Sequence, residues 1–353
     1  MSTAPDKPTG ERKILDLVDA FIKSKVLMSA YHLDVFTVLS REAATVDEAL
    51  HRLGLPQRSG SILLNACRAL GLLELVDGHL RVPPDLAPLL VRGGAQPFRM
   101  STYLIDYYHT LYADLANLDE IVKTDGAASE FRLRDYFKDD VSEVDPALAA
   151  DYSAYMDATM AKIVAVVLEM YDFSAHSYLL DLCGGTGTFC EAIVRATPRL
   201  AAGFIDVPAV ADIGKQRLAG SELATRIDAV GGDVFNDELP QRADVMTMCR
   251  SAHDWDDARV LHLFRRVCAA LPPGGKLLVI ERMIPDQFTP HAAPLYLRAI
   301  YFLSKSRTAC YRTAAQYHRA LSEAGFGRIE TIDPPRDPYE FFQGLRMVVG
   351  TKT

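Results

Sequence analysis

The chain has 353 residues, 49% hydrophobic and 24% charged, which is enough apolar content for one large or two moderate cores, two being expected. Its formal charge of -8 at pH 7 argues against a broad nucleic-acid footprint, because displacing counterions from phosphates needs clustered Lys and Arg. The six cysteines form no C-x-x-C pair and no zinc-finger spacing, and no segment approaches the ~18 apolar residues of a membrane span; a cytoplasmic protein with free thiols, no metal and no membrane partner is expected.

In chain order, the polar "MSTAPDKPTGERK" predicts a short disordered leader. From Ile14 to Leu39 apolar residues recur at three- and four-residue steps, which predicts amphipathic helix with a break near Tyr31 to Asp34. "ATVDEALHRLGL" predicts a helix capped by Thr45 with Glu48 and closed by Gly54. A further helix starting at Pro56 and two short strands around Asp77-Gly78 complete a winged-helix-like pattern. Such folds often read DNA through the third helix, but here that helix offers only Arg58 and Arg68, so packing on a partner chain or covering a site is the better use. Long helical patterns follow from Tyr103 to Val122 and from Ala147 to Met170, and a second domain begins near Ser177.

There the periodicity changes. "SYLLDLC", "AAGFIDV", "RIDAVGGDV", "ADVMTMC" and "GKLLVIERM" read as successive strands, separated by helices at Thr188 to Ala196, Ala209 to Leu218 and Ala258 to Leu271. Nearly continuous apolar strands alternating with helices predict a doubly wound, mostly parallel α/β sheet of Rossmann-like type. A last helix in "TAAQYHRALSEAGF" precedes strands in "GRIETID" and "RMVVGTK".

The bend in "LLDLCGGTGTF" admits three ligand classes: a nucleoside triphosphate, a dinucleotide, or a cofactor without phosphate. A P-loop needs Lys after its last glycine, whereas Thr188 follows Gly187. A dinucleotide fingerprint needs a third glycine where Cys190 stands, which weakens that reading without removing it. Asp181, just before the bend, would repel a pyrophosphate and attract a cationic amino group. Asp206 ends the second strand, where an acid accepts from a ribose diol, and Asp233 ends the third, placed for an adenine amino group with Val234 against the ring. This ordered set describes a site for S-adenosylmethionine; the bland alternative is acids that only cap helices. The candidate cofactor contacts are Asp181, Cys183, Gly184, Gly185, Gly187, Asp206, Gly232, Asp233, Val234, Cys249, Arg250 and Trp255.

In a doubly wound sheet the first and fourth strands are neighbours, so His253, just past the fourth, faces the cofactor loop. It is the candidate general base for a hydroxyl acceptor, with Glu281 at the end of the fifth strand orienting its ring; otherwise Glu281 is a surface ion-pair partner of Arg282 or Arg250. Met156, Met160, Tyr296, Ile300, Tyr301 and Tyr311 are the substrate-lining candidates.

The chain resembles the small-molecule O-methyltransferases that include the plant caffeic acid and chalcone enzymes and the bacterial antibiotic- and carotenoid-tailoring enzymes. The likeness rests on the winged-helix-like N-terminal part, "DLCGGTGTF", "FIDVP", "GGDVF", "HDW", "PPGGKLLVIE" and "YRTAAQY…AGFGRI". It implies methyl transfer from S-adenosylmethionine to an aromatic small molecule of secondary metabolism, in a homodimer interlocked through the N-terminal helices. It also implies three parts: a dimerisation domain at 11–100, a helical substrate-lining connection at 101–176 and a catalytic domain at 177–353. In the same terms His253 is the base, Glu281 its partner and Trp255 the tryptophan beside the adenine.

Two positions depart from the family. Cys183 stands where the first glycine of a G-G-G run is usual, tolerable if its φ stays negative, and Tyr311 stands at or beside the position of a second glutamate. The alternatives are C-methylation of an activated ring or oxoacid, a metal-dependent version with His291 or His318 joining His253 and Asp254, a DNA-binding regulator, and a nicotinamide dehydrogenase.

Overall fold

A computed structural model describes residues 9–92, 100–130, 144–335 and 343–353. These residues form two compact units divided between Thr110 and Leu111. The first eight residues of the expected leader lie outside the described residues; the rest of it is helical from Gly10, because Thr9 accepts from Arg12 N and caps the helix.

In the first unit, α1 (Gly10–His32) and α2 (Val35–Arg41) are separated by Asp34, whose φ of 59° leaves the helical region where the break was expected. Thr45 and Glu48 form a reciprocal capping box on α3 (Val46–Leu53), and Gly54, at φ 65°, closes it. α4 (Gln57–Ala69) leads to β1 (Glu74–Val76) and β2 (His79–Arg81), antiparallel about Asp77-Gly78, where both residues have positive φ as a two-residue hairpin requires. α5 (Ala87–Leu90) follows. Phe36, Leu39, Leu64 and Leu80 fill the core. The first turns of α1 contribute nothing to it: Leu17 is 64% and Phe21 52% exposed, beside exposed Ile14, Val18 and Ile22. That is a contiguous apolar face at helical spacing.

α6 (Met100–Leu115) and α7 (Leu118–Lys123) replace the single helix expected to run to Val122, with Asn117 between them. α8 (Pro146–Met170) starts at Asp145, whose carboxylate accepts from Ala147 N and Leu148 N. Then β3 (Tyr178–Leu182), α9 (Thr188–Ala196), β4 (Ala201–Asp206), α10 (Pro208–Leu218), β5 (Ile227–Gly231), β6 (Val245–Cys249), α11 (Asp257–Ala270) and β7 (Lys276–Arg282) alternate as expected. α12 (Ala293–Lys305), which the sequence reading passed over, precedes α13 (Ala314–Glu323), β8 (Arg328–Ile332) and β9 (Leu345–Thr351). The seven strands lie in the order β5-β4-β3-β6-β7-β9-β8, parallel except for the two pairings of β9.

Successive residues of a strand serve opposite faces, and here both are covered. Leu179, Phe204 and Leu278 pack towards α8 and α9, whereas Leu180, Met246 and Val279 pack towards α11 and α13. β3 and β6 are direct neighbours, so the chain diverges to either side between their carboxyl ends and opens a crevice there. Among the described residues no helix is long and apolar enough to cross a membrane.

Candidate active site

The glycine-rich bend leaves β3 through a residue that breaks the usual backbone rule. Cys183 has φ 55°, contrary to the negative φ expected of it, because the chain must turn sharply for Gly184 N to reach Ile205 O at 3.1 Å. Gly184 and Gly187 are required by Phe204: a Cβ on Gly184 would stand 2.7 Å from Phe204 Cβ, and one on Gly187 2.3 Å from its ring. Asp157 of α8 then staples the loop, accepting from Thr186 Oγ1 at 2.8 Å and Thr188 Oγ1 at 2.9 Å. Burial, with Asp206 and Asp181 nearby, pushes the Cys183 thiol well up, so it serves as a neutral wall residue. A left-handed conformation costs a residue with a Cβ roughly 1–2 kcal/mol, more when β-branched. Cys183→Val is therefore expected to lower the melting temperature by about 2–8 °C in a thermal scan, and an unchanged midpoint would show that the turn is not strained.

Two buried carboxylates follow from the strand register. Asp181 is the Cα partner of Thr247, and Thr247 Oγ1 donates to it at 2.6 Å. Burial raises Asp181 to about 7, against that hydrogen bond and helped by Asp206. Asp206 accepts from Gly185 N and Val207 N, each at 2.8 Å, and burial still raises it to about 6. Asp233 is held by its own turn, accepting from Phe235 N at 2.8 Å and Asn236 Nδ2 at 2.5 Å. All three line one cavity.

Past β6, residues Ala252–Asp254 form a 3₁₀ turn that carries His253. His253 Nδ1 lies 2.8 Å from Glu281 Oε2, and Glu281, on β7, is only 1% exposed. The surface ion pair considered for Glu281 is therefore overturned: Arg250, itself at φ 61°, reaches instead to Thr159 Oγ1 at 2.6 Å and Met156 Sδ at 3.3 Å. The segment after α12 holds the turn by its carbonyls. Arg312 donates to Ala252 O and Trp255 O, Cys310 N to His253 O, and Thr308 Oγ1 to Asp254 O. Tyr311 lies in that segment, its ring 6.1 Å from the imidazole and its hydroxyl 3.5 Å from Arg282 Nη1.

Of the predicted cofactor residues, Asp181, Cys183, Gly184, Gly185, Asp206, Gly232, Asp233, Val234, Cys249, Arg250 and Trp255 share the cavity wall with Met156 and Met160. Gly187 is not in that wall, because it caps α9 and packs on Phe204. Tyr296, Ile300, Tyr301 and Tyr311 are not in it either. Tyr296 stacks on Phe288, and Tyr301 and Tyr311 pack on Phe302. Sequence reasoning missed Tyr152, Asp157, Phe235 and Thr308, all on the wall, and considered Asp254, also there, only as a metal ligand. Asp157 was legible only as the residue beside Met156; Phe235, whose ring meets Trp255 edge-on, only as the last letter of "GGDVF".

The donor set suits a ligand with a cationic amino group and a nucleoside. Gly185, at φ 61°, has open space where a Cβ would project, so the backbone is bare towards the cavity beside Asp206. Among the described residues no lysine is on the wall, and its two arginines are engaged, Arg250 with Thr159 and Met156 and Arg259 over the ring of Phe235. The metal-dependent alternative finds little support in these contacts: His318 Nε2 bonds Thr331 Oγ1 at 2.7 Å, and Lys305 occupies Asp254. Among the described residues no three His, Cys, Asp or Glu side chains are grouped to hold a metal ion.

Residues 133–327 match the family described as O-methyltransferase domain, and residues 15–81 match the O-methyltransferase dimerisation domain. Demethylspheroidene O-methyltransferase of Cereibacter sphaeroides is 30% identical over 328 residues, covering 93% of this chain and 84% of that one. The 3-hydroxy-5-methyl-1-naphthoate 3-O-methyltransferase of Streptomyces sahachiroi is 27% identical, covering 90% of each chain. A solved structure described as PigF with SAH has a TM-score of 0.80 at 24% identity over 98% of this chain and 100% of that one, a likeness of fold.

Proposed function

The chain belongs to the S-adenosylmethionine-dependent O-methyltransferase family, and on that premise we propose that it methylates a hydroxyl of an aromatic small molecule in secondary metabolism, with His253 as general base. The observation that carries this reading is the 2.8 Å contact of His253 Nδ1 with buried Glu281, on a turn whose flanking Ser251 and Asp254 line the cavity. When bound, S-adenosylmethionine supplies a methyl group on a positively charged sulfur.

The chain's own residues divide the remaining work. Asp206, already fixed by two backbone N–H groups, accepts from the ribose diol with its remaining lone pairs. Asp233 and Val234 take the adenine, Trp255 and Phe235 close around it, and Asp181 faces the amino group of the methionine end. His253 donates Nδ1–H to Glu281, which leaves Nε2 to take the phenol proton and lets Glu281 stabilise the imidazolium. A phenol has a pKa of ~10 and is a weak nucleophile at neutral pH, so the base is needed. The match to a naphthoate O-methyltransferase supports an aromatic acceptor. Residues 177–353 form the catalytic part of this proposal, 101–176 the substrate-lining connection and 11–100 the dimerisation part.

Incubation with methyl-labelled S-adenosylmethionine and a panel of mono- and polycyclic phenols, followed by NMR of the product, tests the acceptor. A methoxyl product is expected; a label found only on ring carbon would replace oxygen by carbon as the acceptor.

The cofactor should bind more tightly as pH rises. Burial lifts Asp181 to about 7 and Asp206 to about 6, so in the free protein their stabilising contribution is complete below the usual carboxylate range and is lost as pH rises through 6 to 7. A cationic ligand binds the ionised forms, so its affinity gains over the same window, about fivefold between pH 6 and 7 from Asp181 alone. Calorimetry with S-adenosylhomocysteine against pH measures this. Asp181→Asn should flatten the curve, and a flat wild-type curve would remove Asp181 from the amino-group site.

All of the exposed apolar face of α1 except Ile14 lies within the matched dimerisation domain, and we assign the face to a homodimer contact. Leu17→Glu, placing a charge at a 64% exposed apolar position, is expected to give monomer in sedimentation velocity where the wild type is dimer. A dimer unaffected by the substitution would move the contact off this face.

A further inference from the structure

Lys305, in the last turn of α12, is a lysine with 1% exposure. Its Nζ donates to Asp254 Oδ1 at 2.5 Å and to Tyr152 Oη at 3.4 Å, and the rings of Tyr152, Tyr301 and Phe302 lie within 6 Å of it. The same Asp254 Oδ1 is 3.4 Å from His253 Nε2, on the side of the ring away from Glu281. His253 therefore has a carboxylate near each ring nitrogen. By itself that arrangement favours the doubly protonated ring, which has no lone pair with which to take a proton. A buried carboxylate beside a buried ammonium is neutralised as a source of field, and its lone pair is spent on the closer partner.

We propose that Lys305 is a positioning residue which, by neutralising Asp254, keeps Nε2 of His253 free as the proton acceptor. The inference rests on the reading of His253 as base. The groups facing the imidazole from the elements around it are Glu281 on β7, Asp254 on its own turn, Lys305 and Phe302 on α12, and Tyr311 with Arg282 behind it. Lys305 is the cation that meets a carboxylate next to Nε2. Phe302, its ring centroid 5.1 Å from that of the imidazole, shields the pair from water and keeps the effect from being screened. It is the burial that shows the charge has a use, since an unpaired or exchangeable lysine is rarely enclosed this completely.

The test follows His253 itself, by NMR of the full-length protein labelled at histidine Cε1 and saturated with S-adenosylhomocysteine, with the resonance identified by its absence in His253→Gln. Lys305→Met is expected to move the His253 titration midpoint up by about one pH unit and to move the acidic limb of kcat with it. Turnover at pH 7 then falls several-fold while the rate on the alkaline plateau is kept. Lys305→Gln, which retains a donor to Asp254 without the charge, moves it in the same direction and guards against misfolding of the methionine variant. Lys305→Arg largely restores the wild-type profile, and Asp254→Asn placed on Lys305→Met brings the midpoint back down. An unmoved midpoint in both neutral variants, or no reversal by Asp254→Asn, overturns the role of Lys305. Full turnover in His253→Gln would instead defeat the base assignment, leaving the titration result standing, so the two failures are distinguishable.

Discussion

Replacing His253 by glutamine lowers turnover by roughly 10²–10⁴-fold, the usual contribution of a general base, with little change in the affinity for S-adenosylhomocysteine. Glutamine can keep a hydrogen bond to Glu281 Oε2 but cannot take a proton, so the substitution removes the chemistry and spares the packing. The turn is held independently of the side chain, since the carbonyls of Ala252, His253, Asp254 and Trp255 are all engaged by the 308–312 segment. Loss of activity through collapse of the turn is therefore not expected, and an unchanged melting temperature checks it. Glu281→Gln reports on the partner: without the 2.8 Å charged contact the imidazolium loses its stabilisation, and a smaller fall follows. Turnover of His253→Gln within tenfold of wild type would leave positioning alone as the source of rate and would remove the base from the mechanism.

What could be read from the sequence was what short-range patterns encode. The strands of the second unit are buried on both faces, so they appear as apolar runs, and their ends coincide with the acids Asp181 and Asp206. Strand order then placed His253 opposite the glycine bend and Glu281 one strand over, and β6 does pair β3 and β7. α12 was invisible for a physical reason. Between Ala293 and Lys305 only Arg298, Ser304 and Lys305 interrupt the run of apolar and tyrosine residues, and no side chain caps its start to mark where the helix begins. The lining candidates chosen there, Tyr296, Ile300 and Tyr301, lie on this helix and are not among the residues that line the cavity around Asp181 and Asp206. Asp157, Thr308 and Lys305 owe their places to contacts 29 to 54 positions away along the chain, which no local pattern records. The left-handed φ of Cys183 is likewise set by the reach of Gly184 N to the neighbouring strand.

Asp206→Ala is expected to weaken S-adenosylhomocysteine binding by at least about 100-fold. Hydrogen bonds to a charged acceptor are worth roughly 1.5–3 kcal/mol each, and a ribose diol offers two donors, so about 3 kcal/mol is at stake, which corresponds to ~150-fold. Part of the loss comes from the loop itself, because Gly185 N and Val207 N would lose their acceptor. Asp206→Asn separates the two contributions: its side-chain oxygen still serves one backbone N–H, while its NH₂ group faces donors where the carboxylate accepted. The free protein should lose far less than the complex. Burial raises Asp206 to about 6, so above that pH the ionised side chain opposes folding, and its removal costs the apo enzyme less stability than the hydrogen bonds alone would suggest. Calorimetric titration at pH 8 beside thermal unfolding of the apo form measures both. A large affinity loss with a small stability loss is the signature of a carboxylate kept buried and charged for its ligand. An affinity loss below threefold would mean that Asp206 only braces the glycine loop, and the ribose would have to be held elsewhere on the wall.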